Sequence, residues 1–128
     1  MKTNYAHNKY DESTHTAKTE WVKEVKVLDP AELPGLVYFL PTPKSPHGCD
    51  VDPSGEYIVG SGKLSSDVTV HSFSKMINAI EEENFSGEAY GIPILNFEAV
   101  HAGSVKQSGL GPLHTEFDNK GNAYTSFF

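Results

Sequence analysis

His47 and His114 sit in matching surroundings, and metal ligation is the chemistry their surroundings suggest. His47 follows Pro46 and precedes Gly48, and His114 closes Gly-Leu-Gly-Pro-Leu-His. Each stands four or five residues ahead of an Asp-x-x-Gly turn. Proline and glycine neighbours give a rigid approach from which an imidazole can project. Neutral imidazoles without thiolate partners suit copper, zinc, iron or nickel rather than calcium or magnesium. Alone, each histidine is as well read as a satisfied structural residue; as an equivalent pair, they favour a metal site.

The remaining chemistry-bearing residues carry weaker signals. His71 lies on the strand face opposite Val68 and Val70 and is expected in solvent, as is His101 beside Gly103. His7 and His15 fall in a polar stretch. Cys49 is the single cysteine, which excludes an internal disulfide and an all-cysteine metal site. Within a β stretch it reads as a small apolar residue rather than a nucleophile, since no base can be paired with it. Gly60-Ser-Gly62-Lys63 lacks the spacing of a phosphate loop and the hydroxyl residue after the lysine. Gly-x-Ser-x-Gly and His-Glu-x-x-His are both absent.

The elements that position these residues are mostly strands. Residues 1–20 are polar and without period, and read as a loop. Trp21–Leu28 is rich in β formers and ends at Asp29-Pro30, and the apolar run Leu36–Leu40 reads as a buried strand. Residues 47–64 read as strand, turn, strand, with Pro53 fixing φ and Gly55 supplying a left-handed position. Val68 and Val70 alternate with polar residues in a further strand. Phe73, Met76, Ile77 and Ile80 recur at helical spacing and predict one helix over 73–83, with serines available to cap it. Ile94–Val100 reads as a strand, and the chain closes as loop, strand, turn, strand.

The two histidine passages repeat at about 67 residues, and after each turn Tyr57 or Tyr124 opens the next strand. Four-stranded sheets repeated radially, with an Asp-x-x-Gly hairpin between inner strands, make a β-propeller. In such a ring the innermost strands start at the channel mouth, so equivalent histidines converge there.

Composition narrows the partners. The chain has 128 residues and a net charge of −7, its ten basic residues are all lysine, and most of the acidic excess lies in the second half. Nucleic acid is excluded as a partner, because phosphate binding needs a basic stripe and base readout favours the arginine fork. No apolar run approaches the ~18 residues of a membrane span, and the first residues carry no signal-peptide pattern.

The stretches SPHGCDVDPSGEYIVGSGKLSSDVTVHSF and GLGPLHTEFDNKGNAYTSFF resemble the nitrous-oxide reductases. These are the copper enzymes that reduce nitrous oxide to dinitrogen and water at the end of denitrification. The resemblance covers residues 41–73 and 108–128 well and residues 1–35 weakly. Ser45 stands where many members carry asparagine. The long interval between His47 and His114 is similar to the second branch of the family.

This resemblance implies an all-β fold: about two blades of a seven-bladed β-propeller over residues 21–128, with one short inserted helix, as an internal fragment truncated at both ends and inactive by itself. It also implies a four-copper sulfide cluster, CuZ, held by seven histidines, of which His47 and His114 match two. Electrons would arrive from a CuA centre in a domain outside this chain, across a homodimer, supplied by a periplasmic donor such as a c-type cytochrome or a cupredoxin. Calcium is left open as a further cation. The rival expectation is a non-catalytic propeller module that binds a protein or small ligand and uses its histidines structurally.

Overall fold

The computed structural model describes residues 30–128 and the backbone of four earlier strands: β1 (Lys2–Asn4), β2 (Tyr10–Asp11), β3 (Thr16–Ala17) and β4 (Val25–Val27). His7, His15, Glu20 and Trp21 lie outside the described residues. The chain forms two compact units, residues 1–37 with 90–92, and residues 38–89 with 93–128.

In the first unit β1 pairs antiparallel with β4, Thr3 opposite Lys26, and β2 pairs with β3. Short strand pairings therefore run within a stretch whose composition carries no period. A 3-10 turn, Pro30–Glu32, follows, and the Leu33 amide donates to the Pro30 carbonyl at 3.3 Å.

The second unit is built on β5 (Pro46–Val51), β6 (Tyr57–Gly62) and β7 (Asp67–Ser72), an antiparallel meander. After β7 comes an insertion: helix α1 (Phe73–Glu81), the two-stranded β8 (Phe85–Ala89) and β9 (Ile92–Leu95), and the single turn α2 (Phe97–Val100). Then β10 (His101–Lys106) returns to pair with β7, giving the order β5-β6-β7-β10. The hairpin β11 (Pro112–Phe117) and β12 (Ala123–Phe127) follows. The fold is thus all-β with a short inserted helix: one four-stranded propeller blade and the first hairpin of another.

Helix α1 starts where expected. Ser72 caps it, its hydroxyl accepting from the Lys75 amide at 3.1 Å while donating to the Glu56 carboxylate. Met76 and Ala79 face inward, and with Leu95 and Val100 they make the buried cluster, against which Ile58, Ile80 and Phe85 pack. Phe73 and Ile77 stay substantially exposed, so the buried stripe is turned from the expected one.

Two strand expectations are corrected. Ile94–Val100 divides, because the Asn96 side chain accepts from the Glu98 amide at 3.2 Å and caps α2, ending the strand at Leu95. The Leu36–Leu40 run forms no ladder. Only Phe39 bridges, parallel to Ile94, while Leu36 and Val37 remain exposed. Prolines at 34 and 41 bracket the run and offer no N–H to a neighbouring strand.

Candidate metal centre

The two Asp-x-x-Gly turns are built alike. Asp52 Oδ1 accepts from the Tyr57 amide at 2.8 Å, and Oδ2 accepts from the Ser54 amide and hydroxyl at 3.2 and 2.7 Å. Asp118 Oδ1 accepts from the amides of Lys120 and Asn122 at 2.8 and 2.9 Å, and Oδ2 accepts from the Asn122 side chain and the Tyr124 hydroxyl. Gly55 and Gly121 close the turns at φ +77° and +83°, where a Cβ is disfavoured. These bonds hold both carboxyls below the ordinary range: for Asp52 chiefly the Tyr57 amide and then the Ser54 hydroxyl, for Asp118 chiefly the Asn122 side chain and then its amide.

Both histidines occupy irregular register at the entry of their hairpins. The β5–β6 ladder shifts between Pro46 and Cys49, and the β11–β12 ladder shifts between Pro112 and Thr115. A register shift frees a side chain from strict alternation and re-aims it. The rings of His47 and His114 then meet edge to face, centroids 5.0 Å apart and planes at 74°. Both are exposed, and the His114 side chain is 58% accessible.

β5 and β11 come this close because Gly48 has no side chain. A Cβ there would lie 1.9 Å from the Leu113 carbonyl oxygen. Asp50 bridges the same pair of strands: its Oδ2 accepts from the Thr115 amide at 2.7 Å, and its Oδ1 stands 3.5 Å from His114 Nδ1. Ser126 on β12 adds contacts of 3.3 Å to the His114 amide and carbonyl. Sequence spacing pointed to the histidines but not to Asp50, whose partners lie 64 and 65 residues further along the chain.

As a donor set the pair fits a soft or borderline metal: two imidazoles, open to solvent, with a carboxylate facing Nδ1 of one of them. Among the described residues no group of three or more His, Cys, Asp or Glu is gathered that could hold a metal ion. The described residues thus bring two imidazoles together without a third such donor beside them.

The other histidines depart from expectation. His71 is fully buried, not exposed, because β7 is covered on both faces. Phe97 of α2 packs edge-on against its ring at 5.8 Å, and the His101 ring lies 6.3 Å away. Nε2 of His71 is 3.3 Å from the Thr69 hydroxyl, and Nδ1 is left without a partner. Burial, and then the neighbouring His101, push its pKa down. His101 is half-buried, stacked on Phe97 at 4.7 Å, its Nε2 2.7 Å from the Ser104 hydroxyl. Cys49 is exposed on β5 rather than packed inside. Among the described residues no helix is long and apolar enough to cross a membrane.

No family model matches the chain. It is 37% identical over 90 residues to the nitrous-oxide reductase of Stutzerimonas stutzeri, covering 70% of this chain and 12% of that protein. The nitrous-oxide reductase of Pseudomonas fluorescens is 36% identical over 90 residues, 70% of this chain and 12% of that protein, and that of Cupriavidus necator is 37% identical over 93 residues, 73% of this chain and 13% of that protein. The chain thus spans about an eighth of the length of the curated relatives it matches. Over some seven-tenths of its length, it is homologous to a segment of nitrous-oxide reductase.

Proposed function

We infer that this chain supplies His47 and His114 as two imidazole ligands of the four-copper sulfide cluster at which a nitrous-oxide reductase converts nitrous oxide to dinitrogen and water. The observation that carries this reading is the meeting of two equivalent histidines, each from the irregular start of its hairpin, at 5.0 Å. Homology to reductases over most of the chain supports it.

When bound, copper would relay electrons from the donor to nitrous oxide. The chain's own residues do the positioning. Gly48 permits the close approach of β5 and β11, the register shifts aim the two rings, and Asp50 faces Nδ1 of His114 so that Nε2 remains available as a donor. Exposure of both rings counts against the rival binding-module reading, in which structural histidines would be packed as His71 is.

The rest follows the family reading: a periplasmic protein, a homodimer that brings the CuA centre of one subunit to the cluster of the other, and a c-type cytochrome or cupredoxin as electron donor. The test is nitrous-oxide consumption by the purified full-length gene product with a reduced viologen as donor. Copper-dependent consumption is expected. A folded full-length product that takes up no copper and consumes no nitrous oxide overturns the reading.

A further inference from the structure

We propose that Asp50 is the positioning residue of the histidine pair, tying the start of β11 to β5 so that His114 is held against His47. The proposal rests on the ligand reading above. β5 and β11 belong to different sheets, so no backbone ladder joins them. Their registration depends on side chains and on close contact at Gly48.

The Thr115 residue is 3% exposed, and its amide finds the Asp50 carboxylate at 2.7 Å. A buried amide without an acceptor is costly, so this bond fixes where β11 can sit. The same carboxylate also faces the neighbouring ring, its second oxygen 3.5 Å from His114 Nδ1. With its proton on Nδ1, directed at the carboxylate, the imidazole presents the Nε2 lone pair outward. One side chain thereby sets both the backbone position and the ring orientation of His114. Outer residues of this kind typically change metal affinity by about 10–100-fold when removed.

Asp50→Ala, Asp50→Glu and Asp50→Asn in the full-length gene product test this, beside His47→Ala and His114→Ala. The readouts are copper bound per chain and copper affinity by competition with a chromophoric chelator. Asparagine keeps an oxygen where the Thr115 amide needs one. Glutamate keeps the charge but moves the oxygen outward by a methylene. Asp50→Ala and Asp50→Glu are expected to weaken copper binding on the order of 10-fold or more, with Asp50→Asn losing less, because its oxygen still serves the Thr115 amide while its NH2 faces His114 Nδ1. If Asp50→Ala does not fold, the Glu and Asn variants decide alone. Wild-type affinity in the Ala or Glu variant, or equal loss in Glu and Asn, overturns the proposal while leaving the ligand reading intact, provided the histidine variants lose copper. Unchanged copper in the histidine variants overturns the ligand reading, and the proposal with it.

Discussion

The ring of His114 stands 5.0 Å from the ring of His47, although the two residues open different hairpins. Each occupies the shifted register of its ladder, after a proline and before the first regular pair of an Asp-x-x-Gly hairpin. The same local device, used twice, brings two imidazoles to one place.

Because the Gly48 Cβ position lies 1.9 Å from the Leu113 carbonyl oxygen, a backbone atom that cannot swing away, Gly48→Ala must push β11 from β5. A loss of about 1–3 kcal/mol in unfolding free energy is expected, measured by denaturant titration of the copper-free protein. The variant should also bind less copper. Unchanged stability would mean the strands are not in close contact.

The two turn aspartates give an acid-side dependence. Their folded pKa values lie below the ordinary ones, so their stabilisation is present in full above the unfolded value, about 4, and is lost as pH falls through the depressed folded values. Asp52→Ala and Asp118→Ala are each expected to lower the thermal midpoint at pH 7, and the gap to wild type should close on acidification below pH ~4. A gap that persists at low pH would place the effect elsewhere.

Local chemistry was the legible part of this chain. The Asp-x-x-Gly hairpins, the serine cap of α1 and the equivalence of His47 with His114 are each written within about ten residues. What escaped depended on distant partners. The alternation around Val68 and Val70 put His71 in solvent, yet Phe97 of the inserted segment covers it. Asp50 carries no signal of its own in the sequence because its partner, Thr115, arrives 65 residues later. The apolar run before Pro41 looked like a strand, since apolar runs do not reveal whether a neighbour will pair with them.

His71 gives a second pH dependence at higher pH. Its folded pKa is depressed, so near neutrality and above the residue is uncharged in both states and contributes nothing. As pH falls below the free-histidine value, about 6.5, the unfolded chain takes up a proton that the folded chain refuses, and stability declines. The unfolding midpoint should therefore drop as pH falls through about 6.5. His71→Leu should flatten this part of the profile, and an unaltered slope would count against a buried neutral His71.

Ser72→Ala removes the cap of α1, whose hydroxyl accepts from the Lys75 amide, and takes one donor from the Glu56 carboxylate, which keeps the Ser74 hydroxyl at 2.7 Å. A loss of about 0.5–2 kcal/mol is expected, read by denaturant titration. Ser72→Asp should recover less than Ser72→Thr, because a second carboxylate would face Glu56.

Copper content and ligand count bear most directly on the reading of His47 and His114 as a ligand pair. They are to be measured by elemental analysis and X-ray absorption on the full-length gene product and on its His47→Ala, His114→Ala double variant. The wild type is expected to carry histidine-ligated copper that the folded double variant loses. Equal copper content and an unchanged absorption spectrum in the double variant would contradict it.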